Sequence, residues 1–282
     1  MNTLQRIFVI LSYEWNRALA KKKVLALVIL GIVIQVLPFV AFTQVAPGFL
    51  TDEAKATMWI FGALGGQSLF IQLVAIIVAG GSMSEEYEHG TADMLLSKPI
   101  RRVEYLTGKF LGGFSLLVAV EALMVTTGVL MGYAFFGPQN DLQYAPLIFA
   151  AIAYSSLLFF SLTFMFGEVL RKGTLAMLTA IGVFIASQIL YGVLLILHAF
   201  SVAAGEPNQL YVDVSKLLPT WSAGNLPTLI ASELMPVLRN PLITLTTGEI
   251  VLPAAIIAVY FIVSVAITVT RLLKSDVAKK TD

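Results

Sequence analysis

Charged side chains are concentrated in one short stretch of this sequence, from position 81 to position 113. Carboxylates come first in the stretch, an apolar patch follows, and bases come last. The acids include Glu85, Glu86, Glu88 and Asp93, the apolar patch is Met94, Leu95 and Leu96, and the bases are Lys98, Arg101, Arg102 and Lys109. Groups of these types can transfer protons, bind a metal ion or form ion pairs with a partner protein.

The residue sets that most enzymes need are absent from the sequence. There is no cysteine, and only two histidines occur, His89 and His198, so a zinc site would lack ligands. Neither H-E-x-x-H nor G-x-S-x-G is present. The string nearest to a phosphate-binding Walker loop is Gly108-Lys109-Phe110, which lacks the earlier glycine and the hydroxyl residue. We therefore expect no catalytic residues, no metal and no ATP hydrolysis by this chain alone.

The composition is typical of a protein that lies in a membrane. Hydrophobic residues make up 58% and charged residues 12%, with a mean hydropathy of +0.87. A soluble domain has about 25% charged residues. The formal net charge of +1 favours neither a nucleic acid nor an acidic partner. We expect one compact membrane domain over residues 1–282, in contact with membrane lipids and with no nucleic acid.

Six apolar runs are long enough to cross the membrane, which takes about 20 helical residues. Each run is predicted to be a helix, because a lone segment in lipid must satisfy its own backbone hydrogen bonds and the runs do not alternate as barrel strands do. The predicted fold class is therefore an all-α integral membrane protein, with spans at about 24–42, 61–83, 108–136, 145–167, 174–200 and 250–270.

Lys and Arg are distributed unequally between the two sides of these spans. Fifteen lie in the N-terminal stretch, the second-to-third connection, the fourth-to-fifth connection and the tail, against three on the other side, Lys55, Lys216 and Arg239. Since cytoplasmic connections have the excess of Lys and Arg, both termini are predicted to be cytoplasmic. The expected location is the cell membrane, plasma or inner, and residues 84–107 form a cytoplasmic segment.

The first 20 residues are predicted to form an amphipathic helix in the cytoplasmic interface, with Arg6, Asn16 and Arg17 on its polar face. The apolar residues at helical spacing are Leu4, Ile7, Phe8, Leu11, Trp15 and Leu19. On the other side, residues 201–249 form a long extracytoplasmic connection whose five prolines exclude one long helix. Asn225 is the predicted N-cap of a short helix there, with its apolar residues at the outer interface or dipping into it.

Several polar and small residues lie within the predicted spans. Glu121 is near the middle of the third span, where an unpaired charge costs about 3 kcal/mol. It is either a substrate or proton contact on a path through the membrane, or a protonated or hydrogen-bonded packing residue. Four glutamines present the same alternatives, Gln35, Gln67, Gln72 and Gln188. Glycine pairs four apart, Gly62/Gly66, Gly108/Gly112 and Gly128/Gly132, allow close helix contacts within one subunit or between two.

Local signals divide the charged stretch into short helical pieces. The acids continue the second span, Gly90 breaks the helix, Thr91 can cap a short helix, and Pro99 ends it. The predicted element is a compact helix-turn-helix below the bilayer, with apolar residues between its acids and its bases. Such an element is suited to dock on a soluble partner.

The same stretch resembles the cytoplasmic segment of ATP-binding-cassette (ABC) transporter permeases of the second exporter type. It reads Glu85-Glu86-x-x-x-Gly90-Thr91-x-x-x-Leu95-Leu96-Ser97-x-Pro99-Ile100-x-Arg102, followed by Gly108-Lys109. That family also has an interfacial N-terminal helix, six spans and an outer connection before the last span, so the resemblance covers essentially the whole chain.

The resemblance implies a permease subunit of an ATP-driven exporter. Such a permease binds two separate ATPase subunits, which hold ATP and Mg, and it dimerises with a second copy or a related permease. The residues that would shape or line the ATPase contact are Glu85, Glu86, Gly90, Thr91, Leu95, Leu96, Pro99 and Arg102. Both substrate passage between two permeases and mechanical transmission to an outer partner are consistent with this reading. The alternative is a proton- or ion-coupled secondary transporter that uses Glu121.

Overall fold

The computed structural model describes residues 2–20, 22–45, 50–65, 67–88, 100–235 and 250–274. Within these ranges the chain contains helices and no strands, which confirms the all-α fold class. The helices are α1 Thr3–Ala20, α2 Lys22–Val45, α3 Asp52–Lys55, α4 Met58–Gly65, α5 Gln72–Glu88, α6 Arg102–Phe136, α7 Ala145–Leu170, α8 Gly173–Ala203, α9 Gln209–Lys216, α10 Pro219–Leu234 and α11 Val251–Lys274.

Six of these helical segments are long and apolar enough to cross a membrane, as predicted. They are Leu25–Gln44, Met58–Glu88, Arg102–Phe136, Leu142–Leu170, Gly173–Ala203 and Val251–Lys274. The second segment consists of α4 and α5, which a π-helical turn at Gln67–Ile71 joins. The third is α6, whose 35 residues correspond to about 50 Å of helix, well beyond the ~30 Å hydrocarbon layer. One end of α6 therefore extends out of the membrane.

Helix α1 packs at one end of the bundle, which we call the α1 end. The Glu88 carboxylate at the end of α5 accepts a 2.8 Å hydrogen bond from the Gly173 amide at the start of α8. Arg102 at the start of α6 donates a 2.8 Å bond to the Leu272 carbonyl near the end of α11. At the opposite end, the Trp59 indole donates a 2.9 Å bond to the Asn140 carbonyl.

Two of the predicted glycine pairs bring α6 into backbone contact with other helices of the same chain. A Cβ atom at Gly108 would lie 2.7 Å from Ile10 Cβ, and one at Gly112 would lie 2.7 Å from Glu14 Cβ, so both glycines are needed for the approach of α1. A Cβ atom at Gly128 would lie 2.7 Å from the Ala63 amide nitrogen of α4. Both glycine pairs thus pack helices within one subunit, which is the first of the two predicted alternatives.

The connection after α8 contains two helices, of which α10 packs inside the bundle. α9 packs against α8, and α10 packs against α7, α8 and α11. At the start of α10 the Thr220 hydroxyl lies 2.6 Å from the Ser187 hydroxyl, which is in the middle of α8. Near the end of α10, Ala231 lines a cavity together with Ile60 at the opposite end of the bundle. α9 therefore lies on the outer side of α8, while α10 is packed among α7, α8 and α11.

The prediction that Asn225 caps a helix is wrong. α10 begins at Pro219, because proline lacks an amide hydrogen and therefore fits the first helical turn. Asn225 lies inside this helix, where its side-chain amide donates a 2.9 Å bond to the Trp221 carbonyl. Leu226 is only 2% exposed, so the apolar residues of this segment pack into the bundle. α10 ends at Leu234.

Candidate functional site

Four charged side chains form a buried group at the α1 end, which we call the ionic cluster. It consists of Glu14 and Arg17 from α1, Glu86 from α5 and Lys109 from α6. Lys109 is fully buried, and the two glutamates are each 3% exposed. The cluster therefore joins α1 to the two helices that flank positions 89–101.

Lys109 is at the centre of the ionic cluster. Its ammonium group donates to the carboxylates of both Glu14 and Glu86, and it lies 3.2 Å from the Ser82 carbonyl. The Tyr105 hydroxyl donates to the other Glu86 oxygen. The ring centroids of Tyr13 and Tyr105 each lie 5.6 Å from the ammonium nitrogen, which adds cation–π contacts. Every face of this cation is thus surrounded by groups that stabilise positive charge.

Arg17 completes the charge balance of the ionic cluster. It donates a 2.6 Å hydrogen bond to Glu14 and a 2.9 Å bond to the Gly81 carbonyl, and it lies 4.0 Å from Glu86. Burial raises the pKa of Glu14, while the charges of Lys109 and Arg17 act in the opposite direction. Among the described residues, two acids and two bases thus meet in the cluster.

Helix α1 has two apolar sides with different surroundings. Ile10 packs on α6, and the Trp15 indole donates a 2.8 Å bond to the Ser115 hydroxyl of α6. Leu4, Phe8 and Leu19 are 79%, 68% and 61% exposed, so part of the predicted apolar face is directed away from the bundle. Arg17, predicted to lie on the polar face, is directed into the ionic cluster because Glu14 is there.

Positions 89–101 are bounded on both sides by anchored residues. On the α5 side, the Tyr87 hydroxyl donates a 2.8 Å bond to Glu168 of α7, and Glu88 accepts from Gly173 of α8. On the α6 side, Arg102 donates to the carbonyls of Leu272 and Leu273 in α11. The described residues on both sides of this segment are therefore hydrogen-bonded to α7, α8 and α11.

Three of the eight predicted ATPase-coupling residues lie within the described structure. Glu86 is in the ionic cluster, Arg102 contacts α11, and Glu85 belongs to α5. The remaining five lie outside the described residues, as does the predicted short helix: Gly90, Thr91, Leu95, Leu96 and Pro99. Their proposed role in ATPase contact stays a prediction.

Sequence reasoning missed Glu14 and Tyr105, and it took Lys109 as one of the bases on the cytoplasmic side and as part of the Gly108-Lys109 pair of the family resemblance. Glu14 continues the stripe of Ile7 and Ile10, which faces α6. A carboxylate within an apolar stripe was the available signal, and a base between the glycines of a close-packing pair was the matching signal in α6.

The intramembrane polar residues have different environments. The Gln35 amide nitrogen donates 2.7 Å bonds to the carbonyls of Gly62 and Met124, so this glutamine bonds between helices. Glu121 is fully buried, and among the described residues neither of its oxygens has a hydrogen-bond partner. The Ser156 hydroxyl, on the adjacent α7, donates to the Ala153 carbonyl instead. The predicted role of Glu121 in a substrate path stays open.

Six apolar helices and an ionic cluster at one end of the bundle define a multi-pass helical membrane protein. A family profile described as "ABC-2 family transporter protein" matches residues 8–277, nearly the whole chain, and the chain therefore belongs to this family. This confirms the family that the resemblance indicated, and the chain is a membrane permease of an ABC transporter, a class that associates with ABC ATPase subunits. A search of curated proteins found no match.

Proposed function

We propose that this chain is the membrane-spanning subunit of an ATP-driven exporter and that residues 84–107 couple it to separate ATPase subunits. Two ATPases bind ATP and Mg and attach to the segment between the second and third spans. The permease works as a dimer with a second copy or a related permease. The α1 end faces the cytoplasm, since fifteen of the eighteen Lys and Arg residues lie on that side of the spans.

The observation that supports this proposal best is the anchoring of positions 89–101. A ligand can shift a conformational equilibrium only if it distinguishes the two states, so ATPase closure must act on an element connected to the spans. The bonds of Tyr87, Glu88 and Arg102 connect this segment to α7, α8 and α11. Closure of the ATPases is thereby communicated to the spans that surround a substrate path.

The test is purification of the permease from its native membrane, followed by identification of a Walker-loop subunit and measurement of ATP hydrolysis. A variant with Leu95→Asp and Leu96→Asp replaces the apolar patch of the segment. We expect the amount of ATPase recovered with this variant to be at least tenfold lower, while the variant still inserts in the membrane. A matched control is Leu210→Asp on α9, where the side chain is 63% exposed and lies away from the segment. Equal ATPase recovery from both variants, or no ATPase with the unsubstituted chain, contradicts the proposal.

A further inference from the structure

The N-terminal helix is attached to α6 at successive levels with a constant register. Arg6 lies 3.3 Å from Glu104, Gly108 faces Ile10, Gly112 faces Glu14, and Trp15 bonds to Ser115. Position increases along both helices together, so α1 runs alongside the first turns of α6 in the same direction. These contacts extend over about 15 Å of α6 at 1.5 Å per residue. Helix α1 therefore has a defined rotation and a defined height on α6.

We infer that the ionic cluster makes α1, the end of α5 and the start of α6 move as one body, with Lys109 and Glu14 as positioning residues for ATPase coupling. The inference rests on the proposed function. It assigns to α1 a role in transmission: a displacement of positions 89–101 moves α1, and with it α2, which begins at Lys22 and contains the first span, Leu25–Gln44.

Burial of the charges is the first reason for rigid-body movement. Lys109 and Glu14 are almost inaccessible to water, and Glu86 shares the same cation. Separating α1 from α5 and α6 would break the Lys109–Glu14 ion pair and the Arg17–Glu86 contact at a site of low dielectric constant, and such a state is disfavoured. A pair of helices joined only by apolar contacts can slide by a fraction of a turn, whereas these helices would have to break ion pairs.

Close backbone contact is the second reason. The space between α1 and α6 at Gly108 and Gly112 does not accommodate a methyl group without a shift of Ile10 or Glu14. Interdigitated surfaces of this kind have discrete arrangements rather than a continuous range. The charges fix which arrangement is occupied, because a one-residue slip would remove Glu14 from Lys109.

The test uses spin labels, and the absence of cysteine in the chain allows labelled pairs without background. Leu4→Cys with Val103→Cys measures the distance between α1 and α6, at positions that are 79% and 51% exposed. Leu4→Cys with Leu175→Cys measures the distance between α1 and α8. Both pairs are measured in nanodiscs on the permease alone, and on its complex with the ATPase with and without ATP under non-hydrolysing conditions.

In the unsubstituted background we expect the distance between positions 4 and 103 to stay constant on ATP addition, while the distance between positions 4 and 175 shifts.

Lys109→Met is expected to broaden the distance distribution between positions 4 and 103 at least twofold in the permease alone. It is also expected to abolish the ATP-dependent shift of the distance between positions 4 and 175, while ATPase recovery is retained. The charge-balanced double variant Glu14→Gln with Lys109→Gln is expected to do the same, and it avoids leaving an excess acid buried. Lys109→Arg is expected to keep the narrow distribution, and Lys172→Met, an exposed base at the same end, is the matched control.

Two results overturn the inference. One is an unchanged distribution between positions 4 and 103 in the charge-balanced variant of the permease alone. The other is an ATP-dependent change of that distance in the unsubstituted complex. If the unsubstituted permease recovers no ATPase, the proposed function fails, and the measurement on the permease alone still decides whether the ionic cluster fixes α1 to α6.

Discussion

The Tyr87 hydroxyl donates a 2.8 Å hydrogen bond to Glu168, and this bond joins the end of α5 to the end of α7 at the α1 end. Glu168 is fully buried, and its other carboxylate oxygen has no hydrogen-bond partner among the described residues. Arg171 lies over the Tyr87 ring at 5.1 Å from its centroid. Among the described residues, hydrogen bonding to the Glu168 carboxylate at this junction therefore comes from one phenol.

Tyr87→Phe removes the one hydrogen bond that the described residues give to Glu168, so we expect the free energy of unfolding to fall by about 1–3 kcal/mol. Chemical denaturation in detergent measures this change. Tyr133→Phe is the control, because Tyr133 is 63% exposed and lies towards the opposite end of α6. A Tyr87→Phe protein as stable as this control would show that the bond does not contribute to the junction.

Gly128→Ala tests the contact between α4 and α6. The added Cβ would meet the Ala63 amide nitrogen at 2.7 Å, so the helices must separate, and we expect a loss of about 1–3 kcal/mol in unfolding free energy. Gly182→Ala on α8 has open space around the new methyl group and should gain up to about 1 kcal/mol, because alanine is the better helix former. The two variants are compared in the same unfolding assay. Equal effects at both sites would contradict the packing described here.

Glu121→Gln tests the buried acid of the third span. The substitution keeps the shape of the side chain and puts a neutral amide in place of a carboxyl group whose oxygens have no hydrogen-bond partner in the described structure. Since ionising a buried unpaired acid costs about 3 kcal/mol in a membrane and an amide cannot ionise, we expect the variant to be at least as stable as the unsubstituted chain. Thermal unfolding and ATP hydrolysis by the complex are measured together. A lower midpoint would mean that the carboxylate is bonded, and loss of ATP hydrolysis at full stability would favour the substrate or proton contact.

Sequence reasoning was sufficient for the architecture because hydropathy is a local property. The apolar run of the last span, for example, was predicted at about 250–270 and is found at Val251–Lys274. The helical spacing of the first 20 residues likewise predicted α1. Both features depend only on the order of apolar and polar residues along one segment.

The ionic cluster could not be assembled in this way, because its members come from three helices. Glu14 and Lys109 are 95 positions apart, and no periodicity connects them. Counting bases assigned Lys109 to the cytoplasmic side, although its ammonium group is fully buried. The prediction that Asn225 caps a helix was wrong for a related reason. Asparagine is a favourable N-cap residue, but this helix already begins at Pro219, and its burial within the bundle stabilises the longer helix.

The central claim is that the segment between the second and third spans is cytosolic and contacts an ATPase. Asp93→Cys places a single thiol in this segment, since the chain has no cysteine. Asp52→Cys, at a side chain that is 99% exposed at the opposite end, is its matched control. We predict that a membrane-impermeant thiol reagent labels position 93 only in inside-out vesicles, with protection by the bound ATPase, and position 52 only in intact cells. Labelling of position 93 in intact cells would contradict the claim.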